Sequence, residues 1–219
     1  MSELTIKIEE KVFNSTKDGA PHVVIKDMVI TVPEGQFLAI TGPSGCGKTT
    51  LLNMIAGLET NYIGEITYPQ NMRDNLAYLF QTPRLLPWRT VLQNITLVLG
   101  DEQETQAHSL LESIGLEKFS AHYPSQLSLG MQKRVSLIRA FALKPSLLLM
   151  DEPFSSLDEE AAIQMRHLLK KLLKDQSTTV IFVTHNHDEA NELSDRLIDF
   201  SAAPARILRD MALGSKKGH

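Results

Sequence analysis

Gly42-Pro43-Ser44-Gly45-Cys46-Gly47-Lys48-Thr49-Thr50 is the stretch whose residue types and spacing can do chemistry. Glycines let a backbone curl so that several N–H groups point inward at one anion, and a helix starting directly behind adds its positive end. Lys48 would then reach the outer phosphates of a polyphosphate, and the Thr49 hydroxyl would sit on Mg²⁺. The rival reading is a glycine-rich turn that matches by chance, expected in roughly one chain in a hundred of this length from ordinary glycine usage. An apolar run, Phe37-Leu-Ala-Ile40, precedes the loop and a helix-like stretch, Leu51–Ala56, follows it. That context is what a phosphate loop requires, and it makes chance the weaker account.

Leu147-Leu-Leu-Met-Asp-Glu152 is the second anchor. An apolar strand ending in Asp151 delivers a carboxylate to the sheet edge where ligands of open α/β sheets bind. There Asp151 would hold Mg²⁺. Glu152, one residue on, faces elsewhere and would polarise an attacking water as general base. Alone, two acids at a strand end are more simply solvated; beside a phosphate loop they gain a role. His185 closes the run Val180–Val183 on the same expected edge, where a neutral imidazole would report the terminal phosphate. Gln81 follows another strand, and its amide would ligate Mg²⁺ or the water. His22 and His187 are read as ordinary polar termini. Phe13 stands before a polar loop, and either stacks on a base or covers the sheet.

These residues need elements to position them. Leu4, Ile6 and Ile8 alternate with polar residues as in a half-buried edge strand, and Val23–Val32 reads as a second strand ending at a Pro33-Glu-Gly35 turn. Asn14–Pro21 between them reads as a loop. A helix is expected over about 48–56, stopped by Gly57, then strands over 62–68 and 76–80. Helical spacing dominates 83–143, with helices over 91–99, 102–114 and 131–143. Strands return at 147–150 and 180–183 around a helix over 158–174. Alternating β and α with a helical interruption predicts an α/β fold.

Composition sets outer limits. With 219 residues, 42% hydrophobic and 22% charged, the chain suits one ordinary globular domain. A net charge of -4 argues against a nucleic-acid partner. The single cysteine, Cys46, cannot form an intrachain disulfide and fits a reducing compartment. No signal-like N-terminus and no apolar run near the ~20 residues of a membrane span are read, so any membrane role is expected to go through a partner.

In this order the pieces resemble the ATPase subunits of ABC transporters over nearly the whole chain. Leu127-Ser128-Leu129-Gly130-Met131-Gln-Lys-Arg134 is similar to the family signature, Ser155-Ser-Leu-Asp158 to its D-loop, and Thr184–Ala190 to its switch-histidine segment. The resemblance implies a P-loop NTPase (RecA-like) core, residues 1–81 and 144–213, with an antiparallel β edge. Residues 82–143 would be an inserted helical subdomain carrying the signature, and 214–219 a disordered tail. It further implies ATP and Mg²⁺ as ligands, with Thr49, Gln81 and Asp151 at the metal and Lys48, Gln81, Glu152 and His185 in catalysis. Two copies would pair head to tail, the signature of one closing over ATP on the other, with Asp158 between the two sites. Leu129 departs from the usual glycine and Phe13 from the usual tyrosine. Alkylation of Cys46, inside the loop, is expected to block hydrolysis, and bound ATP to protect the thiol.

The stretch Leu79–Thr90 is similar to the nitrate, sulfonate and taurine branch of bacterial importers. Gln81, Arg84, Leu85, Leu86 and Trp88 are expected to dock on membrane permease subunits at the cytoplasmic face of the inner membrane, unless Trp88 caps the helices internally. A solute-binding protein would complete the system. The short stretch after Ile207 is expected to leave no room for the regulatory domain of sugar importers. An export ATPase is the main alternative. A non-transport ABC ATPase would need a long coiled coil, and 83–143 has no sustained heptads.

Overall fold

The computed structural model describes residues 2–14, 21–174 and 176–214. The loop expected over 14–21 and the tail expected over 214–219 therefore lie outside the described residues except at their ends. In chain order the strands and helices begin with β1 (Glu3–Asn14), β2 (Pro21–Pro33), β3 (Phe37–Thr41), α1 (Lys48–Ile55), β4 (Ile63–Thr67) and β5 (Leu76–Leu79). Next come α2 (Val91–Leu99), α3 (Glu104–Ser113), α4 (Leu129–Phe141), β6 (Leu147–Asp151) and α5 (Glu159–Leu173). The chain closes with β7 (Thr179–Val183), α6 (His187–Leu193), β8 (Arg196–Phe200) and β9 (Ile207–Ala212).

The strands form two sheets. The larger has six in the order β5-β6-β7-β3-β8-β9, parallel except for the antiparallel pair β8 and β9. Every residue of β3, β6 and β7 is buried, which explains their continuous apolar runs: parallel strands covered on both faces have no polar side. One face packs Leu38, Ile40, Leu149 and Ile181 against α1 and the smaller sheet. The other packs Ala39, Leu148 and Phe182 against Met165 and Leu169 of α5 and Leu137 of α4. Each of these leucine, isoleucine, methionine and phenylalanine side chains contributes about 1.5–3 kcal/mol on burial.

The smaller sheet is antiparallel, in the order β2-β1-β4, so β1 is its central strand and not the expected edge strand. Alternation reports that one face is buried, as Leu4, Ile6 and Ile8 are, but says nothing about lateral neighbours. The elements α6, β8 and β9 carry no clear periodicity in the sequence. Strand β8 mixes two charges into five residues, and the Arg196 guanidinium is satisfied by Asp210 of β9 at 2.6 and 2.7 Å and by the Thr31 carbonyl at 2.6 Å.

Helix boundaries follow local chemistry. Gly57, with φ 71°, stops α1 as expected. Residues 101–103 form a 3₁₀ turn, so α3 starts two residues later than the spacing predicts. Helix α4 starts at Leu129, two residues early, because the Ser128 hydroxyl caps it by accepting the Met131 N–H at 3.3 Å. Helices α2, α3 and α4 share an apolar cluster of their own, including Ile95, Leu111 and Ile138, which forms a helical layer beside the large sheet.

Candidate active site

Parallel register aligns the ends of β3, β6 and β7, and their C-terminal edge collects the chemistry-bearing residues. The phosphate loop leaves β3 there and runs into α1 at Lys48. Gly47 has φ 112°, and a Cβ on it would lie 2.7 Å from Val24, so both conformation and space demand glycine. The Lys48 ammonium folds back across the loop, donating to the carbonyls of Gly42 at 2.7 Å and Pro43 at 2.9 Å. Ser44, Gly45, Gly47, Lys48, Thr49 and Thr50 line one wall of a cleft of about 480 Å³.

Opposite stand Gln81, Asp151 and Glu152. The Thr49 hydroxyl donates to Asp151 Oδ1 at 3.1 Å. Burial pushes the Asp151 carboxyl above its ordinary range, against the opposing pull of that hydrogen bond. A hydroxyl, a buried carboxylate and an amide oxygen form the hard-oxygen donor set that suits Mg²⁺. Glu152 adopts φ 43°, a left-handed conformation uncommon for a side-chain-bearing residue. Its carboxylate accepts from Gln81 Nε2 at 3.3 Å and lies 3.3 Å from His185 Nδ1. The expected strand-end residues thus converge within hydrogen-bonding reach of one another.

Phe13 stands at the rim of the cleft, 42% exposed, with the Lys11 ammonium 4.2 Å from its ring centre. Its cross-strand partner His22, read as an ordinary polar residue, lines the same cleft. Cys46 departs from expectation. Its side chain is 1% exposed in the core, 4.0 Å from Lys48 Nζ, and its N–H donates to the Pro43 carbonyl. Such enclosure predicts slow alkylation in the native protein, with or without ATP.

The signature residues lie apart: none of Leu127, Ser128, Leu129, Gly130 and Met131 lines the cleft. Leu129 is the first residue of α4 and 40% exposed, in a backbone conformation any residue adopts. Gly130 sits where a Cβ would meet Ala161 at 3.5 Å. Asp158 caps α5, accepting the Ala161 N–H at 2.8 Å. In the stretch after Gln81, Trp88 is 71% exposed, which excludes an internal cap, whereas Leu85 packs half-buried on the helical cluster.

Two further charged groups support the site from behind. Lys133 of α4 is buried, and its ammonium donates to the carbonyls of Pro153 at 2.9 Å and Ser155 at 2.6 Å, tying the helical layer to the segment after Glu152. Burial holds its pKa below the usual lysine range. Glu189 accepts from the Thr184 hydroxyl at 2.7 Å, and that hydroxyl accepts the Asn186 N–H at 3.0 Å, which shapes the turn carrying His185. Burial raises the Glu189 carboxyl pKa. Both residues lie inside stretches that carry the family resemblance, but their partners are backbone carbonyls and a hydroxyl, so the sequence assigns neither of them a role.

A family model described as ABC transporter matches residues 25–155. An aliphatic sulfonates import ATP-binding protein of Zymomonas mobilis is 42% identical over 194 residues, covering 87% of this chain and 81% of that protein. An uncharacterized ABC transporter ATP-binding protein of Methanocaldococcus jannaschii is 39% identical, covering 92% and 81%. Among solved structures, a dimeric post-hydrolysis ATP-binding cassette bound to ADP and phosphate superposes with a TM-score of 0.84 at 30% identity, over 97% of this chain and 99% of that one. A second dimeric structure, of a bacterial ABC transporter cassette, gives 0.83 at the same identity, 97% and 99% coverage.

Proposed function

This chain belongs to the ABC transporter family, and we propose that it hydrolyses ATP to drive a sulfonate-type solute importer, two copies working as one unit. The observation that carries this reading is that the cleft is half a site. Loop, acid and amide side chains line this one cleft, while the capped start of α4 with Ser128 lies elsewhere on the chain. A second copy, facing it head to tail, would supply the missing side, as the dimeric assemblies of similar cassettes support.

In this mechanism Lys48 exchanges its two loop carbonyls for the β- and γ-phosphate oxygens of ATP, and the loop N–H groups with the α1 N-terminus hold the remaining charge. Phe13 stacks on the base from the cleft rim. Thr49, Asp151 and Gln81 would hold Mg²⁺, which neutralises phosphate charge when bound. Glu152 takes a proton from the attacking water, and its left-handed backbone with the Gln81 and His185 contacts aims the carboxylate. His185 donates toward the γ-phosphate, and Glu189 positions it through Thr184. Ser128 of the second copy keeps its O–H free to donate to that phosphate, since its oxygen alone serves the cap. Asp158 lies between the paired sites.

The exposed Trp88, with Arg84 and Leu86, forms the permease-docking surface of a peripheral subunit on the inner face of the cell membrane. A separate solute-binding protein completes the importer. No helix among the described residues is long and apolar enough to cross a membrane. Sedimentation of the Glu152→Gln variant tests the reading: ATP and Mg²⁺ are expected to convert monomer to dimer, and a variant that stays monomeric at saturating ATP overturns it.

A further inference from the structure

Lys11 of β1 is 1% exposed, a burial that strand alternation does not predict. The even-numbered Leu4, Ile6 and Ile8 face the core, so strict alternation would send Lys11 to solvent. The register shifts between Ile8 and Glu10 toward β4, and between Lys11 and Val12 toward β2, and this break turns Lys11 inward. A buried ammonium is costly unless its three donors are met. Glu59 Oε1 lies 3.0 Å from it, and the Asn61 carbonyl accepts from it at 2.7 Å. On its remaining side is the Phe13 ring, with its centre 4.2 Å away. The same Glu59 oxygen accepts the Asn61 N–H at 2.9 Å, so residues 59–61 form a turn closed around the ammonium. That turn hangs from α1: the N–H groups of Leu58 and Glu59 both donate to the Asn53 carbonyl, at 2.8 and 3.1 Å. One side chain thus ties the Phe13 ring to the helix whose first residue is Lys48.

We propose that Lys11 is a positioning residue for nucleotide binding. It fixes the plane of the Phe13 ring and its distance from the phosphate loop, so that the ring's other face meets the base of a nucleotide whose phosphates Lys48 holds. Phe13 is 42% exposed at the cleft rim, so packing alone does not hold its ring. A cation over an aromatic face supplies that hold while occupying one face only. An apolar side chain at position 11 would fill the same space, but would grip neither the ring nor the turn after α1. The inference rests on the reading of Phe13 as the base-stacking residue.

Calorimetric titration of the full chain with two ligands tests it: MgADP, which carries a base, and magnesium tripolyphosphate, which carries none. Lys11→Met keeps the unbranched stem; combined with Glu59→Gln it removes both charges together and leaves an oxygen for the Asn61 N–H. In this double variant the Kd for ADP is expected to rise about fivefold, the size of one cation–π contact, with tripolyphosphate binding unchanged. Glu59→Gln alone keeps the ammonium but loosens its anchor, and a smaller rise with the same split is expected. In a Phe13→Ala background the double change is expected to add nothing. An equal loss for both ligands overturns the inference, because Lys11 would then serve only the fold around the phosphate loop. An ADP affinity unchanged in both variants overturns it too. Failure of the stacking reading shows separately: Phe13→Ala would by itself leave ADP affinity intact.

Discussion

His185 Nδ1 lies 3.3 Å from Glu152 Oε1, joining two strand ends that are 33 residues apart in sequence. The Glu152 N–H donates to the Val183 carbonyl at 2.9 Å, which extends the β6–β7 ladder one residue past the strand. The left-handed turn at Glu152 then swings its side chain over the strand edge toward the histidine. This backbone arrangement makes the two side chains neighbours and supports Glu152 as the base.

Glu152→Gln keeps the shape and the contact with Gln81 but cannot take a proton. ATP hydrolysis is expected to fall on the order of 100-fold or more, the usual contribution of a positioned base, while ATP binding persists. A malachite-green phosphate assay on both proteins checks this, and equal rates would sink the enzymatic role of Glu152.

Asp151→Asn separates stability from function. Burial disfavours the charged carboxylate, so its folded pKa is raised and the charge costs stability at neutral pH. Asparagine retains an oxygen for the Thr49 hydroxyl, so the ligand-free variant is expected to melt higher near pH 7 while losing Mg²⁺-dependent hydrolysis. The sign follows from linkage: the folded wild type binds the proton more tightly, so its deficit shrinks as pH falls toward about 4. A gap in melting temperature that widened with acid would contradict the account.

Lys133→Met leaves the carbonyls of Pro153 and Ser155 without their buried donor. The expected cost is about 1–3 kcal/mol for the unsatisfied acceptors, or roughly 2–4 °C per kcal/mol for a domain of this size. Calorimetry gives the melting temperature, and kcat is expected to fall more than ATP affinity because the segment after Glu152 loosens.

Leu129→Gly replaces an exposed residue at a position that makes no conformational demand for glycine. Hydrolysis is expected to stay unchanged or rise, since a smaller side chain lets a second copy approach more closely. A clear loss in a coupled ATPase assay would show that Leu129 itself makes a needed contact.

Cys46 is expected to resist Ellman's reagent in the native protein and to react only after denaturation, with or without ATP. Rapid native labelling would show that the phosphate loop opens far more than its packing suggests.

The phosphate loop and the Asp151-Glu152 strand end were legible because each is a local pattern, whereas the signature stretch was marked only by the family resemblance. Glycine, an apolar run and a cap residue act within a few positions of themselves, so their spacing alone announces a strand, a loop and a helix. The central strands were legible for a similar reason: burial on both faces leaves only apolar residues. What the sequence determined by itself was therefore the identity of the elements and the residues at their ends.

The tertiary structure decided which of those ends meet. That β1 lies between β2 and β4 is a matter of lateral pairing, which alternation does not encode. Arg196 in β8 reads as a surface charge until Asp210, 14 residues away, is brought beside it. Lys133 is likewise an ordinary polar helix residue in the sequence. It binds backbone carbonyls, which every residue possesses, so no side-chain pattern could name its partners. Cys46 marks the boundary most clearly: its place in the loop was visible from the chain, but whether solvent reaches its sulfur depended on packing.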